Sequence, residues 1–175
     1  AGYNVHVCDV RPGAAAEFVR DGGVACASPA EVAAAAPVVI SVVVNAAQTE
    51  EVLFGTGGCA ASMSPGALFI MCSTVDPAFS VKLEQRLEER GILYLDAPMS
   101  GGAAKAAAGD MTMMTAGKPA AYAACSELLD AMAGKVYRLG DRAGPGSRVK
   151  IINQLLAGVH IAVAAEAMAL GLREG

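Results

Sequence analysis

The sequence predicts an α/β fold in which short buried strands alternate with helices around a mostly parallel sheet. Three observations carry that prediction. Four short apolar runs, residues 4–8, 38–43, 68–72 and 93–97, are each bounded by turn residues or charge, and two of them are rich in valine and isoleucine, as strands buried on both faces should be. The stretches between the runs are alanine-rich and amphipathic, which is the β–α alternation of a parallel sheet. At 175 residues, 54% apolar and 17% charged, the chain is long enough to bury one proper core.

In chain order, strand 4–8 is followed by a helix over 14–21, a weaker strand over 23–25 and a helix over 28–35. Ser28-Pro29-x-Glu31 marks the start of that helix with an N-cap, a proline at the first helical position and a first-turn glutamate. Strand 38–43 leads to a helix over 49–54, and strand 68–72 to a helix over 77–90. Gly91 then stands where a left-handed C-cap is required. Strand 93–97 follows, and strand 111–115, helix 119–133 and strand 136–139 complete the sheet. Loop 140–146 holds three glycines and a proline, after which no breaker interrupts residues 147–173. At about 1.5 Å per residue that helix is about 40 Å long, more than most small domains use. The expected division is therefore a domain over residues 1–145 and, from 146 to 175, the start of a helix that connects domains.

Composition narrows the partners. The net charge of −4 and the absence of a basic run exclude a nucleic-acid surface. Five scattered cysteines without a C-x-x-C pair, and two distant histidines, His6 and His160, give no metal site. They suit reduced thiols used as small core hydrophobes in a cytoplasmic protein. Residues 151–170 could span a bilayer by length, but Asn153, Gln154, His160 and Glu166 interrupt them. A buried helix is expected there, not a membrane span, with His160 in a core or interface. Small molecules and further copies of the chain are the expected partners.

Three segments could carry chemistry. Asp9 ends the first strand; a carboxylate there could accept hydrogen bonds from the adenosine ribose of NAD, or could cap a turn before Pro12, and nearby Arg11 could instead pair with the 2′-phosphate of NADP. The segment Asp96-Ala97-Pro98-Met99-Ser100-Gly101-Gly102 sits at a strand's carboxyl end. Ser100 and the bare backbone of Gly101 and Gly102 could bind a carboxylate, or the segment could be an ordinary glycine turn. Gly144-x-Gly146-x-x-x-Lys150-x-x-Asn153 puts a lysine and an asparagine on one helix face. Lys150 is either a solvated first-turn lysine or, with its pKa lowered by the helix dipole, a proton acceptor.

Together these segments resemble the β-hydroxyacid dehydrogenase family over essentially the whole chain, most nearly its L-threonate-oxidising branch. The family's substrate motif D-A-P-x-S-G-G is similar to Asp96–Gly102, and its catalytic motif G-x-G-x-x-x-K-x-x-N to Gly144–Asn153. The resemblance implies a Rossmann-like dinucleotide-binding domain followed by a long interdomain helix and an all-helical domain. It implies Lys150 as the catalytic residue, and Ser100, Gly101, Gly102 and Asn153 as substrate-binding. Asp9, Val10, Arg11, Val44, Asn45 and Thr74 are implied to bind NAD, with NADP possible. Val43-Val44-Asn45 departs from the family's Met-Leu-Pro-like wording. The implied reaction moves hydride from the secondary alcohol of a small hydroxy acid, L-threonate-like or 3-hydroxyisobutyrate-like, to NAD in a homo-oligomer. A semialdehyde reductase acting on tartronate semialdehyde, or a non-catalytic nucleotide-binding or oligomerisation module, are the alternatives. A first strand with its Gly-rich turn is expected before Asp9, yet Ala1-Gly2-Tyr3 resembles the end of a helix. The chain is therefore expected to be a fragment, inactive when isolated, whose 4–8 and 38–43 strands lack their common neighbour.

Overall fold

The computed structural model describes residues 2–11 and 13–175; Ala1 and Pro12, named above for a helix end and a turn, lie outside the described residues. The elements run β1 (His6–Val7), α1 (Ala14–Arg20), β2 (Val24–Ala25), α2 (Pro29–Ala35), β3 (Val38–Ser41), α3 (Ala46–Phe54), β4 (Leu68–Met71), α4 (Pro77–Glu88) and β5 (Leu93–Asp96). They continue with β6 (Met99–Ser100), α5 (Gly102–Ala107), β7 (Met111–Thr115), α6 (Pro119–Met132), β8 (Ala133–Arg138) and α7 (Pro145–Glu174). The α/β class and the Rossmann-like domain followed by a long helix are as expected.

The core forms because β4 is apolar at every position and the pleat sends alternate side chains to opposite faces. Phe69 and Met71 pack with Val39, Leu53, Leu83 and Leu87 beneath α3 and α4. Leu68 and Ile70 pack with Leu95, Met113, Cys125 and Leu129 beneath α6. Leu68, Phe69 and Ile70 have no exposed surface, and burying each contributes about 1.5–3 kcal/mol before chain entropy is counted. Helix layers on both sides of the sheet thus follow from one uninterrupted apolar strand.

β3, β4 and β5 are parallel neighbours in register, with Ser41 opposite Met71 and Met71 opposite Asp96. Their carboxyl ends therefore form one edge. β1 and β2 form a separate parallel pair, so β1 and β3, the two strands expected to want a common neighbour, belong to different ladders. In the third ladder β6 runs antiparallel to β7, and β7 parallel to β8. An antiparallel bridge between Asp96 and Ala116 joins it to β5.

Several expectations need correction. α3 starts three residues early because Asn45 caps it, its side chain accepting from the Gln48 amide at 3.0 Å. β8 begins at Ala133 rather than Val136, directly where α6 stops. The Gly-Gly pair opens an unforeseen helix, α5. Only Cys59, Cys72 and Cys125 are core residues; Cys8 and Cys26 are half-buried, each just beyond the end of β1 or β2. The largest correction concerns α7. Beyond Lys150 its residues are exposed apart from half-buried Asn153, and the exposed set includes Leu155, Ile161, Met168, Leu172 and His160. It is not a buried helix within this chain, and by length and composition alone it could cross a membrane.

Candidate functional site

Because the ladder β3-β4-β5 is parallel, the loops leaving its carboxyl edge bring three of the predicted segments together: 42–45, 72–76 and 97–101. Open α/β sheets bind ligands along such an edge. The loops are fixed by their own polar groups. The Gln48 side chain accepts from the Val44 amide at 2.8 Å, the Thr49 hydroxyl donates to the Asn45 carbonyl at 2.9 Å, and the Ser73 hydroxyl, beside Thr74, reaches Thr49 at 3.1 Å. Asn45 and Ser73 are thereby joined through Thr49, while Val44 is held by Gln48. Thr49 and Ser73 are buried, whereas Val44 is exposed and Thr74 half-exposed.

Asp9 stands exposed two residues beyond the end of β1, and its carboxylate takes the Arg11 amide at 2.8 Å and the Arg11 guanidinium at 3.1 Å. Those Arg11 contacts hold its carboxyl below the ordinary aspartate range, the side-chain bond first. The turn-forming geometry is present at this position. Val10, between the two, is almost wholly exposed.

Ser100 lies on β6 opposite Thr112 of β7. Gly101 and Gly102 follow with φ of 147° and 73°, backbone angles that L side chains strain to adopt. A side chain at Gly101 would also meet Lys105 and Met111 at 2.9–3.0 Å, whereas nothing lies within 4 Å of one at Gly102. The Gly102 backbone is thus open to a ligand, and the glycines here serve conformation as well as access.

The catalytic candidate is set differently from a solvated lysine. Lys150 keeps only 7% of its surface exposed, on the face of α7 that packs against the sheet. Burial lowers its pKa from the ordinary lysine value. Asn153 is half-buried one turn on. Neither is hydrogen-bonded to Ser100, Gly101 or Gly102 among the described residues. The two groups share an anchor instead.

That anchor is Asp96, which sequence reasoning placed in a motif without giving it a role. It is fully buried at the end of β5. One carboxylate oxygen accepts from the amides of Gly144 and Ser147 at 2.9 and 3.0 Å, and the other from the Ser147 hydroxyl at 2.6 Å. It therefore caps the amino end of α7 from across the chain, satisfying amides that a helix start leaves open. Burial pushes its pKa up, against the pull of those hydrogen bonds. Glu84 of α4 does the same for the preceding loop, accepting from Arg142 Nε at 2.9 Å and the Ala143 amide at 3.2 Å. Its sequence signal was present: Ser80, Leu83, Glu84 and Leu87 form the buried stripe of α4.

Val42 and Val44 expose apolar surface along this edge, and among the described residues the buried Ser41 hydroxyl at the tip of β3 has no hydrogen-bond partner, so the edge has both apolar and polar surface free for a ligand such as a dinucleotide; Asp9 and Val10 belong to the separate β1–β2 ladder. No group of three metal-ligating side chains occurs among the described residues. An open concavity lined by Tyr122, Ser126, Arg138 and Asp141 lies elsewhere and includes none of the predicted site residues.

Known proteins resemble the chain throughout. Residues 1–140 match the family described as the NAD-binding domain of 6-phosphogluconate dehydrogenase. The chain is 62% identical over all 175 residues to an L-threonate dehydrogenase of Cupriavidus necator, spanning 59% of that protein. It is 37% identical over 174 residues to the mitochondrial 3-hydroxyisobutyrate dehydrogenase of Mus musculus, spanning 52% of it. A crystal structure of 3-hydroxyisobutyrate dehydrogenase from Salmonella typhimurium superposes with a TM-score of 0.95 at 46% identity, over 99% of this chain and 61% of that one. The chain thus spans little more than half the length of these relatives.

Proposed function

This chain belongs to the β-hydroxyacid dehydrogenase family through its 6-phosphogluconate-dehydrogenase-type NAD-binding domain, and from that premise we propose that it serves an NAD-dependent oxidation of a small hydroxy acid, L-threonate-like or 3-hydroxyisobutyrate-like. The single observation that carries the reading is Lys150, a buried lysine with no ion-pair partner among the described residues, held on a helix whose start is capped from the sheet's ligand-binding edge. Burying a lysine without a partner is costly unless it has a task.

In this reading Ser100 and the amides of Gly101 and Gly102 bind the substrate carboxylate and fix which carbon bears the reacting alcohol. Asn153 hydrogen-bonds the substrate and helps hold Lys150. Lys150 accepts the hydroxyl proton, or relays it to water; its lowered pKa makes the neutral amine more available at moderate pH. Asp9 would accept from the adenosine ribose, while Val10, Val44, Asn45 and Thr74 would line the dinucleotide, and Arg11 leaves NADP possible. When bound, NAD supplies the nicotinamide carbon that takes the hydride. Positioning contributes most of what the protein adds.

Residues 1–145 would form the nucleotide-binding domain and α7 the start of an interdomain helix leading into helical structure. The exposed apolar side chains of α7 support that reading, and contact between subunits in a homo-oligomer, better than exposure to water. The polar residues Asn153, Gln154, His160 and Glu166 favour a soluble, cytoplasmic setting over a bilayer.

In the full-length protein, Lys150→Ala should abolish oxidation of L-threonate and 3-hydroxyisobutyrate while calorimetry still detects NAD binding. Undiminished turnover would refute the assignment. Rates on tartronate semialdehyde with NADH, beside those on the two hydroxy acids, give the preferred direction.

A further inference from the structure

Resting on Lys150 as the proton acceptor, we infer that Asp96 is a positioning residue for it, acting through Ser147 by hydrogen-bond geometry. The geometry is closed on every side. Asp96 is bolted to β7 by its own backbone, donating to the Ala116 carbonyl at 3.0 Å and accepting from the Ala116 amide at 2.8 Å. Its side chain has no exposed surface and makes three hydrogen bonds to the Gly144–Ser147 turn, with the Ser80 hydroxyl of α4 also favouring its carboxylate. Gly146 lets that turn lie flat on the strand tips: a Cβ there would stand 2.6 Å from the Met114 carbonyl and 3.0 Å from the Asp96 carbonyl. Ser147 and Lys150, three residues apart, share the helix face so clamped.

Two consequences follow. The depth at which Lys150 sits, which alone lowers its pKa, is set by how tightly this turn is held to β5. The clamp also ties Lys150 to the Ser100–Gly102 turn, because Asp96, at the end of β5, is only four residues before Ser100 on β6. No charge effect of Asp96 on Lys150 is involved. The arrangement asks of residue 96 two acceptor lone pairs for the amides and a polar atom for the Ser147 hydroxyl. An asparagine can supply them, its carbonyl oxygen taking both amides while its NH2 donates to the serine oxygen.

The test is kinetic, in the full-length protein. Asp96→Ala should lower kcat for hydroxy-acid oxidation by about tenfold or more, as small misplacements do, with NAD affinity unchanged. It should also raise the kinetic pKa towards the ordinary lysine value, a shift that mere loss of stability would not produce. Asp96→Asn should recover both. Ser147→Ala, which removes the 2.6 Å bond alone, should give a smaller fall with the same direction of pKa shift, and decides the matter if Asp96→Ala does not fold. An unchanged kcat and pKa in a folded Asp96→Ala or in Ser147→Ala overturns the inference, as does Asp96→Asn failing to improve on Asp96→Ala. Turnover retained in Lys150→Ala overturns the proton-acceptor reading and this inference with it. An inactive Lys150→Ala beside an unaffected Asp96→Ala overturns this inference alone.

Discussion

Gly146→Ala and Gly158→Ala place the same methyl group in the same helix, and their outcomes should have opposite signs. Both lie within α7, and in both the replacement gains up to about 1 kcal/mol of helix propensity. At position 158 nothing lies within 4 Å of the new Cβ, so that gain stands. At position 146 the Cβ would be 2.6 Å from the Met114 carbonyl, 3.0 Å from the Asp96 carbonyl and 3.1 Å from its Oδ2. None of these is the free end of a flexible side chain: two are strand backbone, and the third is fixed by two backbone amides. The helix must therefore lift off the sheet. Overpacking of this kind costs about 1–3 kcal/mol, leaving Gly146→Ala about 0–2 kcal/mol less stable after the propensity gain. For a domain of this size that lowers the thermal midpoint by up to about 8 °C. Paired thermal and urea unfolding of the two variants measures the difference, and Gly146→Ala proving as stable as Gly158→Ala would refute the close approach of α7 to β5 and β7.

Three further outcomes follow from the same structure. Lys150 is held below its ordinary pKa of 10.5 by burial, so between the depressed value and 10.5 the unfolded chain binds more protons and stability rises with pH. Lys150→Met should therefore raise the thermal midpoint at pH 7, the gain narrowing as the pH is raised through that window. Glu84→Ala leaves the Ala143 amide without its acceptor and leaves Arg142 with Glu88 alone as ion-pair partner among the described residues; because the Arg142 side chain is 56% exposed, the expected loss is about 1–3 kcal/mol rather than that of a fully buried pair, read from urea unfolding. Burial pushes the Cys72 thiol up to about 12 and those of Cys59 and Cys125 up to about 11. A disulfide reagent at pH 8 should thus label Cys8 and Cys26 well ahead of these three, as peptide mass mapping over time would show.

How much of this was legible depended on whether the signal was local. β4 was plain because Leu68 to Met71 are apolar at every position, and α2 because Ser28 and Glu31 cap it reciprocally, the serine accepting from the Glu31 amide and the glutamate from the Ala27 amide. Gly91, at φ 71°, stands as expected just beyond α4. α5 escaped notice because glycines at both ends of a short alanine run look like a loop. The role of Asp96 could not be read at all: its partners Gly144 and Ser147 lie 48 and 51 residues away, and nothing near either end announces the other. Glu84 could have been found, since a glutamate on an otherwise apolar stripe needs a buried partner. α7 misled for the opposite reason. A helix apolar on all sides usually means burial, but the sequence does not say against what, and within this chain only its first turns are covered.

The most direct test of the account is the pH dependence of hydroxy-acid oxidation by the full-length protein and its Lys150→Ala variant. The rate of the unmodified protein should rise with pH through a midpoint below 10.5, and the variant should be slow and lack this limb. The same limb at the same midpoint in Lys150→Ala would contradict it.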